Sequence, residues 1–108
     1  MVARVWRGAT RSEDADAYLS FLRSVDFGYP AAAGYLGVIA LRDVGPERAE
    51  FMLVTFWESD AAIREFAGND IARAVFFPED DRFLIERGER VKHYEVASRL
   101  DRSGTAER

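Results

Sequence analysis

At 108 residues, 48% hydrophobic and 13% aromatic, the chain is long enough for one core and too apolar to stay disordered. A formal charge of -4 disfavours long nucleic-acid contacts and a basic membrane footprint, and the lack of cysteine excludes disulfides, thiolate metal sites and cysteine nucleophiles. His93 is the only histidine, which excludes multi-histidine metal sites.

Val2 to Gly8, VARVWRG, reads as a first strand with Ala3 and Val5 on one face and Arg4 and Trp6 on the other. Thr10 and Glu13 have capping-box spacing ahead of a helix whose Ala15, Tyr18, Leu19, Leu22 and Val25 form a core-facing stripe. Phe27 to Gly34, FGYPAAAG, breaks that helix with Gly28, Pro30 and Gly34. Tyr35 to Val44 is a second strand, apolar on both faces, and Gly45-Pro46 marks a hairpin-sized turn into a third, EFMLVTFWE, also apolar on both faces.

Ser59 predicts the N-cap of a second helix with Ala62, Ile63 and Phe66 inward, ended by Gly68. Asp70 to Phe77 predicts a further helical piece, and Pro78 a new helical start with Glu79, Asp80 and Asp81 in its first turn. Arg90 to Ala97 is the last strand, and the polar end from about Arg99 to Arg108 is expected to fray. One domain over residues 1–98 and a tail over 99–108 result.

The order β-α-β-β-α-β predicts an α+β, ferredoxin-like subunit, its antiparallel sheet covered by helices on one side. Strands apolar on both faces would then leave a broad sheet face in water, which soluble proteins avoid. A second copy packed face to face removes it, so a homodimer closing an α/β barrel is expected. No apolar run approaches the ~20 residues that cross a bilayer, and no charged, apolar leader precedes the first strand. A soluble cytoplasmic protein without a membrane or nucleic-acid partner is expected.

The run from Leu53 to Val96, LVTFWESDAAIREFAGNDIARAVFFPEDDRFLIERGERVKHYEV, resembles the antibiotic biosynthesis monooxygenase (ABM) superfamily of dimeric α/β barrels, and the opening VARVWRGATRSEDADAYLSFL is similar to its first strand and helix. The resemblance implies a small ligand pocket in each subunit between helices and sheet, and includes cofactor-free oxygenases of electron-rich polycyclic phenols and anthrones as well as haem degraders. Trp57 matches the tryptophan that lines that pocket. The haem-degrading branch places an axial histidine where this chain has the region of Phe76, with no histidine between Trp57 and Val91. That branch also has an asparagine near the end of the first strand, where this chain reads Val5, Trp6, Arg7, and Asn69 is the chain's only asparagine. Phenylalanine cannot ligate iron.

Trp57 orients a flat substrate by stacking or closes the core at the end of its strand. His93 takes a proton from a phenol or enol, or is a strand histidine bonded across the dimer or at an edge. Phe66, Phe76, Phe77 and Phe83 line an aromatic pocket or are plain core, with Tyr18 and Tyr94 as hydroxyl partners. Glu79, Asp80 and Asp81 are accounted for by helix electrostatics, so no metal is expected. Arg4, Arg7, Arg73 and Arg82 pair with an anionic ligand or with these acids.

The expected function is a cofactor-independent, monooxygenase-like oxidoreductase that acts on or binds a small aromatic or polyketide-type molecule. Trp57 and His93 are its expected catalytic residues. Trp57, Phe66, Phe76, Phe77, Phe83 and Tyr18 are expected to bind the substrate. The alternatives are a non-catalytic ligand-binding or structural dimer and a haem-binding or haem-degrading protein ligated through His93.

Overall fold

The computed structural model describes residues 1–28, 32–100 and the backbone of Ala106 and Glu107. Strand β1 (Val2–Arg11) leads through a 3-10 turn (Ser12–Asp14) into helix α1 (Ala15–Ser24). Strands β2 (Tyr35–Val44) and β3 (Arg48–Trp57) follow, then helix α2 (Asp60–Ala67), an extended stretch, and the one-turn helix α3 (Asp80–Phe83). Strands β4 (Leu84–Arg87) and β5 (Lys92–Glu95) finish the sheet. It runs β2-β3-β1, with β4 and β5 end to end along the free side of β1, all antiparallel. This is the expected ferredoxin-like α+β arrangement.

Register fixes the two faces. Val2, Arg4, Trp6 and Gly8 lie opposite Trp57, Thr55, Leu53 and Phe51 of β3 on the helix side. Ala3, Val5 and Arg7 lie opposite Phe56, Val54 and Met52 on the other. The core is built on the helix side, where Ala15, Tyr18 and Leu22 of α1 pack on Ala49, Phe51 and Leu53 of β3 and on Phe83. The stripe predicted on α1 is thus the buried one. On the other face Ile39, Leu41 and Tyr94 are about half exposed, beside the partly buried Met52, Val54 and Phe56.

Four local expectations change. Thr10 does not cap α1: it lies in β1, fully buried, its hydroxyl donating to the Arg11 carbonyl. Residues 70–77 form no helix, because their backbone groups are claimed by tertiary partners: Ala74 N–H donates to Glu89 O (2.8 Å), and Ala72 O accepts from Val91 N–H (2.7 Å). The final strand, expected over Arg90 to Ala97, is Lys92–Glu95 (β5), and β4 was not foreseen. Helix α3 ends as Leu84 turns extended, and β4 then pairs with the C-terminal half of β1, which β5 does not reach. In the tail, where no strand was expected, Arg99–Leu100 (β6) pairs with Ala106–Glu107 (β7).

The caps of α2 are as expected. Ser59 Oγ accepts from Ala62 N–H at 3.1 Å, and Gly68 ends the helix at φ 87°. Ile63 is its buried anchor. Of the break after α1, Pro30 lies outside the described residues.

Candidate functional site

The predicted residues divide into two aromatic groups on the helix side, with a polar knot between them. At the α2 end Trp57 is fully buried, its ring centroid 5.5 Å from Tyr35 and 5.4 Å from Phe66. Its indole N–H donates to Thr55 Oγ1 at 2.9 Å. A side chain with 0% exposure offers no face to a ligand in this conformation.

At the α1 end Tyr18, Phe21, Phe76, Phe77 and Phe83 come together with Trp6. Tyr18 meets Phe51 at 5.1 Å and Phe83 at 5.3 Å; Phe77 meets Phe21 at 5.5 Å; Phe76 meets Trp6 edge-on at 6.3 Å. A buried polar pair lies inside this group. Tyr18 Oη donates to Asp80 Oδ1 at 3.0 Å, and Asp80 Oδ2 accepts from Phe77 N–H at 2.8 Å. Burial pushes the Asp80 carboxyl above its ordinary value, outweighing those two hydrogen bonds. Asp80 therefore does more than complement a helix terminus.

The polar knot is Arg4. Its buried guanidinium donates to Ile71 O (2.5 Å) and Arg73 O (2.9 Å), and its Nη1 lies 3.1 Å from His93 Nε2. Since arginine only donates, Nε2 is the acceptor and His93 is neutral with its proton on Nδ1. Burial first, and the Arg4 charge second, hold His93 below its ordinary pKa, with Asp60 pulling the other way. His93 is thus on the helix side of the sheet, while Tyr94, opposite Ala3, is on the other.

Two small voids lie between sheet and helices. One of about 30 Å³ is lined by Trp6, Tyr18, Phe76, Phe77 and Asp80, among others. One of about 20 Å³ is lined by Arg4, Trp6, Thr55 and Val75, among others. Both are far below the ~300 Å³ of a small-ligand pocket. Their shared outer wall is the stretch 74–77, which belongs to no helix or strand. Across Phe76 the same stretch borders an open cleft of about 620 Å³, lined by Asp70, Arg73, Arg87, Glu89 and Arg90. Trp6 was not singled out as a site residue, Asp80 was read only as helix electrostatics, and Arg4, expected on an anionic ligand or an acid, instead holds two carbonyls and His93. The available signal was a charged and an indole side chain on the inward positions of β1.

No family model and no curated protein matches the chain. Among solved structures it is similar to MhuD. One is the haem degrader MhuD of Mycobacterium tuberculosis with two haems bound in its active site. It is 21% identical, with a TM-score of 0.63 over 94% of this chain and 100% of that one. Another is an arginine-to-serine variant of MhuD with two manganese protoporphyrin IX bound per active site. It is also 21% identical, with a TM-score of 0.65 over 94% and 99% of the two chains. The likeness is one of fold along nearly the whole chain, the ferredoxin-like α+β fold expected from the sequence. Among the described residues no helix is long and apolar enough to cross a membrane.

Proposed function

We propose that the chain is an ABM-like subunit that binds a small planar aromatic molecule in the seam between α1, residues 74–77 and the sheet. Its proposed chemistry is cofactor-independent monooxygenation. The observation that carries this reading is the Tyr18–Asp80 pair, an acid–phenol couple buried among aromatic rings behind a wall of irregular backbone. Outward movement of Phe76 and Phe77 would merge the small void with the cleft beyond.

Oxygenation without a cofactor begins with an electron-rich anion that passes an electron to oxygen, so the protein has to accept a proton. Tyr18 Oη takes the proton of a phenol or enol while its own moves to Asp80, leaving the phenol intact and the carboxyl neutral. The raised affinity of Asp80 for a proton suits it to that role. His93 enters as a positioning residue, through Arg4, with Trp57 and Phe66 as the core behind it. The half-exposed Ile39, Leu41 and Tyr94 support pairing of two sheets face to face as a homodimer.

Oxygen uptake with anthrone-type phenols tests the reading. Turnover above background, reduced at least tenfold by Tyr18→Phe with the fold intact, is expected. Turnover no faster than buffer, with no saturable binding, would sink it; saturable binding without turnover would leave a ligand carrier.

A second reading, haem binding, is favoured by what the MhuD structures contain. The donor set here fits it poorly. Phe76 has no lone pair for iron, and His93 Nε2 is already the acceptor for Arg4 behind Ile71 and Arg73. A Soret shift on haem titration that disappears in His93→Ala would restore it.

A further inference from the structure

We infer that the aromatic ligand of the seam carries a carboxylate, held in the cleft outside Phe76 between Arg73 and Arg90, with its ring passing Phe76 into the seam. This rests on the proposed ligand site and names the class of molecule it takes. Arg73 and Arg90 face each other as an antiparallel bridged pair. Like charges directly opposite each other on paired strands are destabilising, so the arrangement calls for anions between them. One is already there: Asp70 accepts from Arg90 at 2.8 and 3.4 Å. That hydrogen bond, more than any other influence, holds the Asp70 carboxyl below its ordinary range. Arg73 makes no ion pair among the described residues.

The backbone beneath the two arginines is fixed. Ala74 N–H bonds to Glu89 O, Val91 N–H bonds to Ala72 O, and Arg73 O is held by Arg4. Such anchoring reduces the ordering cost of binding. A third arginine, Arg87, lies with its guanidinium carbon 4.6 Å from the Phe76 ring centroid and is paired with Asp81 at the rim. Guanidinium planes stack on flat rings and grip carboxylates with two parallel bonds. The cleft therefore offers the carboxylate a grip at the mouth of the seam that takes the ring. Glu89, on the same wall, and Asp70 oppose a second negative charge and favour a monoanion. At about 620 Å³ the cleft lies within the ~300–1,000 Å³ range of small-molecule sites.

The test is calorimetric titration of the full chain with 1-hydroxy-2-naphthoate and with 1-naphthol, which lacks the carboxylate. The naphthoate should bind about tenfold more tightly, as one extra charge-assisted contact implies, and added salt should erode the difference. Arg73→Gln with Arg90→Gln should remove the advantage and leave naphthol unchanged; a thermal melt checks that the double variant is folded. Equal binding of the two ligands would overturn the carboxylate seat and leave the aromatic site standing. An advantage that survives the double variant would also overturn it, by putting the anion elsewhere. No saturable binding of either ligand would remove the seat and the site together.

Discussion

Arg4 and His93 lie opposite each other on β1 and β5, with 3.1 Å between Nη1 and Nε2, and between them they hold the stretch that walls the candidate site. The arginine grips Ile71 and Arg73 by their carbonyls; the neutral imidazole accepts one of its remaining hydrogens. The consequences are pH dependence and a specific weak point.

Because His93 is held below its ordinary pKa, the folded chain binds fewer protons at this site than the unfolded chain does. Its contribution to stability is therefore complete above about pH 6.5 and is lost as pH falls from there through the folded-state value. Urea midpoints measured through mildly acidic pH should fall for the native sequence and fall less for His93→Gln. Parallel curves for the two would show that His93 is not the group responsible.

Arg4→Leu removes the donors to two carbonyls and a ring nitrogen in a buried setting. Leaving such acceptors unpaired costs about 1–3 kcal/mol each, so a loss of about 3 kcal/mol is expected. Hydrogen exchange should accelerate first at the amides of Ala74 and Val91, which tie this stretch to the sheet. Uniform acceleration over the whole sheet would mean that Arg4 is a general core residue and not a local tether.

Trp6 lies across Gly8 on the same face of β1, its indole N–H bonded to Gly88 O at 2.7 Å. A Cβ on residue 8 would lie well inside van der Waals contact of Trp6 Cη2. Gly8→Ala should thus cost about 1–3 kcal/mol, the usual range for overpacking, and should alter the tryptophan fluorescence. An unchanged spectrum and melting temperature would show that the ring has room to move aside.

Leu41→Lys places a charge on the apolar sheet face opposite Met52 and, if that face pairs two copies, should yield monomers by light scattering. A native chain already monomeric at micromolar concentration would overturn the dimer.

The topology was legible because the signals behind it are local. The continuous apolar run of β3, the Ala15–Tyr18–Leu22 spacing, and the Ser59 and Gly68 caps are each read within a short stretch of chain. The stretch from Asp70 to Phe77 misled because its apolar residues recur at helical spacing, while its backbone is taken by Arg4 and by residues 89–91, distant in sequence. Phe76, Phe77 and Phe83 were chosen for their rings and Tyr18 for its hydroxyl, and they do gather on the helix side of the sheet. Trp57 and Phe66 were grouped with them but lie at the other end of the layer, and spacing along the chain carries no sign of that separation. The Tyr18–Asp80 bond joins residues 62 apart in sequence, and no short-range pattern reveals it.

The placement of β1 bears on how the chain is made. One side of β1 is paired by β3, but the other waits for β4 and β5, ending at Glu95, and Met1 O accepts from Val96 N–H. While the ribosome is still adding residues 60 to 83, β1 has an open edge with unpaired donors and acceptors. Such an edge recruits other strands. Nascent chains stalled or truncated before Leu84 should therefore associate with one another, and residues 84–95 are the ones that close the open side of β1.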